Sequence, residues 1–241
     1  NEISRYPVLY LLHGADGNET TWLRLGKIKT TADRLVAAGS IPPVIIVMPG
    51  CRRCWWVNGT KVQAESAFLQ DLVPHIERNY PVLNERHGRF VAGISAGGQA
   101  AIRFSLKNPD RFAAAAALSP AIYNELPPKR SAARRLPPFL DQGGKFKNAA
   151  WRAQNYPSFL PDYFAQPLRV RMYLMSGDND RLGIAYETAF FFKQLFEHQP
   201  EAVELRVIDG GHHWRIWSKS IAKAMVYMLA QPPKPGRPNE R

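Results

Sequence analysis

Cysteine is nearly absent from the 241-residue sequence, which has only Cys51 and Cys54. A disulfide framework therefore cannot organise it. None is needed, because a single domain of this length buries roughly 70–75% of its unfolded surface. Long apolar runs are also missing, and none approaches the ~20 residues of a membrane span. No internal repeat and no Gly/Ser linker divides the chain, so one domain over residues 1–241 is expected. Hydrophobic residues make up 45% and charged residues 22%, a globular balance. Acidic residues are scarce, 20 against 32 basic ones, for a net charge of +12. That surplus favours anionic partners. Its densest stretch, Lys129-Arg130 with Arg134-Arg135, lacks interleaved aromatics, and no nucleic-acid motif occurs, so specific nucleic-acid binding is not expected. The opening residues Asn1 to Arg5 show no signal-peptide pattern, which a processed or trimmed chain would lack as well.

The two cysteines form C-x-x-C, but they follow Met48-Pro49-Gly50 and precede Trp55-Trp56, with no helix signal. A redox motif wants a helix start there. Zinc wants two more ligands at characteristic spacing, so no metal site is expected. A local disulfide stiffening a loop is the preferred reading, with two free thiols the alternative. The disulfide favours a periplasmic or secreted location over a cytoplasmic one.

What is present is an alternation. Apolar strand candidates lie at 8–12, 44–48, 89–93, 114–118, 170–175 and 204–208. Most are apolar on both faces, as strands covered on both sides are. Helical stripes lie between them, at 68–76 around Pro74, at 96–106, at 189–196 and at 221–229. This pattern predicts an α/β fold, a mostly parallel doubly wound sheet with helices on both faces. About 120–167 the rhythm breaks into a Pro-, Arg- and aromatic-rich insertion of the kind that forms lids. The Pro-rich end from about 231 to 241 is expected to be disordered.

Gly93-Ile94-Ser95-Ala96-Gly97-Gly98 carries the chemistry. It fits G-x-S-x-G between a strand and a helix, the context of a nucleophile elbow. A serine hydroxyl needs a base, and the base needs an orienting group. Asp178 and Asp180 follow the fifth strand candidate, and His212 and His213 follow the sixth. Acid and histidine thus reach the sheet edge that holds Ser95. Spacing alone leaves each pair open. The loop His13-Gly14-Ala15 after the first strand can supply an oxyanion amide from Ala15, beside that of Ala96. His13 itself reads as organising that loop.

These segments together resemble the esterase D/enterochelin esterase-like branch of the α/β-hydrolases. The resemblance runs over about residues 6–230. It rests on Tyr6 to Gly14, Trp22, the Pro49…Trp56-x-Asn58-Gly59 stretch and Asp71 to Glu77. It continues through the elbow, Pro109 to Phe112, Leu118-Ser119-Pro120, Gly177 to Asp180 and Gly211 to Trp217. It implies Ser95, Asp180 and His212 as the triad. It also implies Trp22, Trp56, Asn58 and Trp214 as substrate contacts. Trp55 and the insertion aromatics Trp151, Tyr156, Phe159 and Tyr163 are further pocket candidates. The family's usual earlier strands are not seen ahead of Tyr6, which allows for a sheet lacking them. No cofactor is implied.

The function expected is a serine carboxylic-ester hydrolase acting through an acyl-enzyme on a small-molecule or polysaccharide-linked ester. An acyltransferase using the same intermediate, and a non-catalytic binder on a hydrolase scaffold, are the alternatives.

Overall fold

The computed structural model describes residues 4–230. The expected disorder from 231 to 241 lies outside the described residues. Six strands form one sheet in the order β2-β1-β3-β4-β5-β6, and every neighbouring pair is parallel. They are β1 (Val8–Leu12), β2 (Ile45–Val47), β3 (Arg89–Ile94), β4 (Ala114–Leu118), β5 (Arg171–Gly177) and β6 (Val203–Ile208). Among the described residues no strand precedes β1. Tyr6 makes only an isolated bridge to Val82.

The helices are α1 (Thr21–Arg24), α2 (Ile28–Ala37), α3 (Ala64–Ser66), α4 (Val73–Asn79), α5 (Ala96–Lys107), α6 (Asn148–Arg152), α7 (Leu160–Ala165), α8 (Ile184–His198) and α9 (Trp214–Leu229). A π-helical segment, Ala67–Leu72, joins α3 to α4. It widens the helix just ahead of Pro74, whose missing N–H could not extend the usual ladder. Among the described residues no helix is long and apolar enough to cross a membrane.

Strand alternation divides the core in two. Val8, Tyr10, Leu12, Val91, Ala115, Ala117, Met172 and Leu174 face a core shared with Phe68, Phe104 and Phe191. Leu9, Leu11, Phe90, Ala92, Ala114, Ala116 and Met175 face the other, shared with α2 and α9. The all-small run Ala114 to Ala117 lets α5 and α9 approach β4 closely from opposite sides. Larger residues there would overpack both layers, at about 1–3 kcal/mol each.

The chain runs outward from β1 to β2, then returns across β1 to β3 and continues to β6. The reversal lies between β1 and β3. In open α/β sheets ligands bind beyond the carboxyl ends of the strands at such a switch point. The loop after β1 holds Gly14 and Ala15, and the turn after β3 holds Ser95.

The insertion is not a bare loop. It contains α6, α7 and several 3-10 turns, and it builds a third core above the sheet edge. Trp55, Tyr123, Ala133, Leu136, Phe139 and Trp151 form that core with Ala96 and Ile184. Its aromatic contacts are mostly edge-on, as between Phe139 and Trp151 at 5.2 Å.

Candidate active site

Ser95 sits between β3 and α5 with φ 52° and ψ −117°, a conformation that costs energy for a residue with a side chain. Its surroundings hold it there. Its N–H donates to the Leu118 carbonyl, and its own carbonyl accepts from Ala121 and Gln99. The flanking glycines are required by close approach. A Cβ at position 93 would lie 2.4 Å from the Gly97 backbone, and one at position 97 would lie 2.5 Å from the His13 carbonyl oxygen.

The three side chains to which the resemblance points meet. His212 Nε2 lies 2.9 Å from Ser95 Oγ, and His212 Nδ1 lies 2.6 Å from Asp180 Oδ2. The Asp180 side chain is fully buried, and its other oxygen accepts the Leu182 N–H. Asp178 and His213 are directed elsewhere. Asp178 accepts from the Gly210 amide, and His213 is exposed and accepts from the Gly211 amide. Trp217 stands edge-on to His212 at 5.0 Å and is itself fixed by donating to Ser119 Oγ.

A cavity of about 540 Å³ opens over this group. Gly14, Ala15, Ser95, His212, Trp55, Trp214 and Trp217 all line it. Of the four substrate contacts implied by resemblance, only Trp214 does. Trp22 is buried beneath, donating to the Leu12 carbonyl and packing edge-on against Trp214. Trp56 is buried and donates to the His13 carbonyl. Asn58 pairs with Ser66 through both its amide atoms. The adjacent Trp55 takes the wall position instead. Both tryptophans have positive φ, 55° and 59°, and this tight backbone turns their side chains to different layers. Trp151, Tyr156 and Tyr163 are core residues and leave the wall to other groups. Phe159 packs against that same core and also stays off the wall.

Residues 1–228 match the protein family described as "Putative esterase". The chain belongs to this esterase family. It is 35% identical over 113 residues to an endo-1,4-beta-xylanase/feruloyl esterase of Xylanibacter ruminicola, covering 45% of this chain and 16% of that protein. It therefore spans less than a fifth of that relative's length. It is 25% identical over 228 residues to an acetyl esterase of Caldicellulosiruptor saccharolyticus, covering 91% and 82% of the two chains. A solved ferulic acid esterase superposes with a TM-score of 0.75 at 25% identity, over 95% of this chain and 86% of that one.

In this esterase-family chain His13 organises the loop after β1. Cys51 and Cys54 are disulfide-bonded, and the Cys51 N–H donates to His13 Nε2 at 3.0 Å. That bond leaves the proton on Nδ1, which donates to the Gly14 carbonyl at 2.7 Å. The Gly17 amide donates to the same carbonyl. A second proton on His13 would break the Cys51 bond, and burial holds its pKa below the ordinary 6.5. Above pH 6.5 the folded and unfolded chains both carry a neutral imidazole, and no stability difference arises. Below it the unfolded chain binds the proton first, so folding loses about 1.4 kcal/mol per pH unit until the folded value is reached. Thermal melts between pH 7 and pH 5 are expected to fall more steeply for the wild type than for His13→Asn. Parallel slopes would refute this. Among the described residues no group of three or more His, Cys, Asp or Glu side chains is placed to hold a metal ion.

Proposed function

We propose that the protein is a serine carboxylic-ester hydrolase. The observation that carries this is the His212 imidazole bridging Ser95 Oγ and Asp180 Oδ2 at hydrogen-bond distance from both. Ser95 Oγ attacks the acyl carbonyl while His212 Nε2 takes its proton. Asp180 holds the other ring nitrogen, which sets the tautomer and stabilises the imidazolium. The tetrahedral oxyanion is received by the amides of Ala96 and Ala15. Ala96 is the first residue of α5, where N–H groups have no partner within the helix. The Gly14 carbonyl is held on one side by His13 and Gly17, and a trans peptide sends the Ala15 N–H the opposite way. A Cβ on Gly14 would lie 3.4 Å from Ser95 Cβ, so this peptide approaches the nucleophile closely.

The intermediate collapses to an acyl-enzyme, and His212 returns its proton to the departing alcohol. Water then attacks the acyl carbon as His212 takes its proton, and His212 returns that proton to Ser95 Oγ as the Oγ–acyl bond breaks and the acid leaves. The family membership and the feruloyl and acetyl esterases among the relatives support ester substrates.

A fluorophosphonate is expected to label Ser95 stoichiometrically, with p-nitrophenyl acetate turnover lost in parallel. Turnover that persists after full labelling, or a Ser95→Ala protein as active as wild type, would overturn the reading.

A further inference from the structure

The cavity over Ser95 has an uneven charge. Three arginines line it, Arg24, Arg130 and Arg135, against a single carboxylate, Asp16. Among the described residues none of the three forms a salt bridge. Their neighbour Arg134 shows the contrast. Its guanidinium donates twice to the Pro127 carbonyl and lies 4.3 Å from the Phe146 ring centre, so it is used by the fold. Arg130 and Arg135 have no such engagement among the described side-chain hydrogen bonds; Arg130 lies just ahead of the 3-10 turn Ala132–Arg135, and Arg135 ends it. That turn is anchored by buried Ala133 and by the Ser131 hydroxyl, which accepts the Ala133 N–H. Arg24 enters from the last residue of α1, on the other side of the β1 loop.

The wall also carries apolar and aromatic side chains, Leu25, Trp55, Leu182 and Trp214, beside the polar Asn18, Thr21 and Ser131. A cavity of this volume holds one small-molecule ligand. The cationic groups therefore lie within one substrate's length of Ser95. Guanidinium groups grip oxyanions with paired hydrogen bonds.

Resting on the esterase reading above, we infer that the preferred substrate is an ester with an apolar body and a second, anionic group, a carboxylate or sulfate. Arg24, Arg130 and Arg135 are its specificity-determining residues. The net charge of +12 acts in the same direction by drawing anions toward the molecule.

Two matched pairs of probes test this on either side of the scissile bond. On the alcohol side they are 4-acetoxybenzoate and methyl 4-acetoxybenzoate. On the acyl side they are mono-p-nitrophenyl adipate and p-nitrophenyl hexanoate. Each rate is divided by its hydroxide-catalysed rate to remove leaving-group differences. In at least one pair the anionic member is expected to have a kcat/KM about tenfold higher at low salt. The triple variant Arg24→Gln/Arg130→Gln/Arg135→Gln is expected to abolish that preference, and 0.5 M salt to reduce it. The Arg→Lys triple retains part of it, and Arg134→Gln retains it in full. The single variants Arg130→Gln and Arg135→Gln give the same direction should the triple fold poorly.

Equal or inverse preference in both pairs overturns the inference, as does a preference that survives the triple substitution. If p-nitrophenyl acetate is still turned over in a Ser95-dependent way, only the anionic preference has failed. If no ester is turned over by Ser95, the esterase reading fails and takes this inference with it.

Discussion

Asp180→Asn is expected to lower kcat for p-nitrophenyl acetate by about 10⁴-fold while leaving the fold intact. The carboxylate oxygen 2.6 Å from His212 Nδ1 can only accept a hydrogen bond, so it requires the proton on that nitrogen. Nε2 is then free to accept from Ser95. An asparagine can present its NH₂ to Nδ1, which places the proton on Nε2 and removes the base. The second Asp180 oxygen accepts from Leu182, so the amide oxygen has a reason to stay there and the NH₂ to face the ring. Circular dichroism and a melting curve check the fold, and steady-state kinetics check the loss. A drop of less than tenfold would mean that Asp180 does not set the tautomer. The same substitution at Asp178, which accepts from the Gly210 amide and the Asn179 side chain, is expected to have a far smaller effect.

The second large effect is on stability. Glu65→Ala is expected to destabilise the protein by about 3–5 kcal/mol, because it leaves a buried guanidinium without its counter-charge. Arg103 is 1% exposed and bonds Glu65, Gln99 and the Trp56 carbonyl. Lys107 reaches the other Glu65 oxygen. Burial pushes the Arg103 pKa down, and Glu65 works against that shift. For a domain of this size the loss should lower Tm by roughly 6–20 °C. The pair need not be a net source of stability. Glu65→Leu with Arg103→Met should recover most of the loss, since removing both charges removes the desolvation cost too. A single mutant that melts with the wild type would show that Arg103 finds water when its partner is gone.

This cluster also bears on the site. Arg103 lies two turns along α5 from Ser95 and clamps the carbonyl of Trp56, whose indole holds the His13 carbonyl. The wall that carries Trp55 and the β1 loop is therefore braced from beneath by a buried ion pair. No local pattern announces such a pair. Glu65 and Arg103 are 38 residues apart and look like ordinary surface charges until the helices pack.

Much of the architecture was legible before any coordinates. The strand candidates coincide with β1 to β6 to within a few residues, because the central strands are buried and apolar on both faces and stand out, while the edge strands β2 and β6 are only partly buried. Helices were less legible. The last one was expected at 221–229, but α9 begins at Trp214. Its first two turns carry Trp214 and Trp217, which line the cavity, and the exposed charges Arg215 and Lys219, and these obscure the helical period. The helix α2 was not among the expected stripes, although Ile28, Ala32 and Leu35 recur at helical spacing and are buried.

The sequence by itself determined the alternation of the fold and the chemistry available at the sheet edge. The positions of the strands along the chain follow from apolar runs, and the glycines around Ser95 follow from a turn with no room for a Cβ at 93 or 97, whereas the order of the strands in the sheet came from the tertiary structure. Spacing alone left Asp178 against Asp180 and His212 against His213 open, and the resemblance pointed to Asp180 and His212; only the tertiary structure brings these two to Ser95 and puts Trp55 rather than Trp56 on the cavity wall. Adjacent residues differ in direction, not in composition, and direction is set by backbone turns and by partners dozens of residues away.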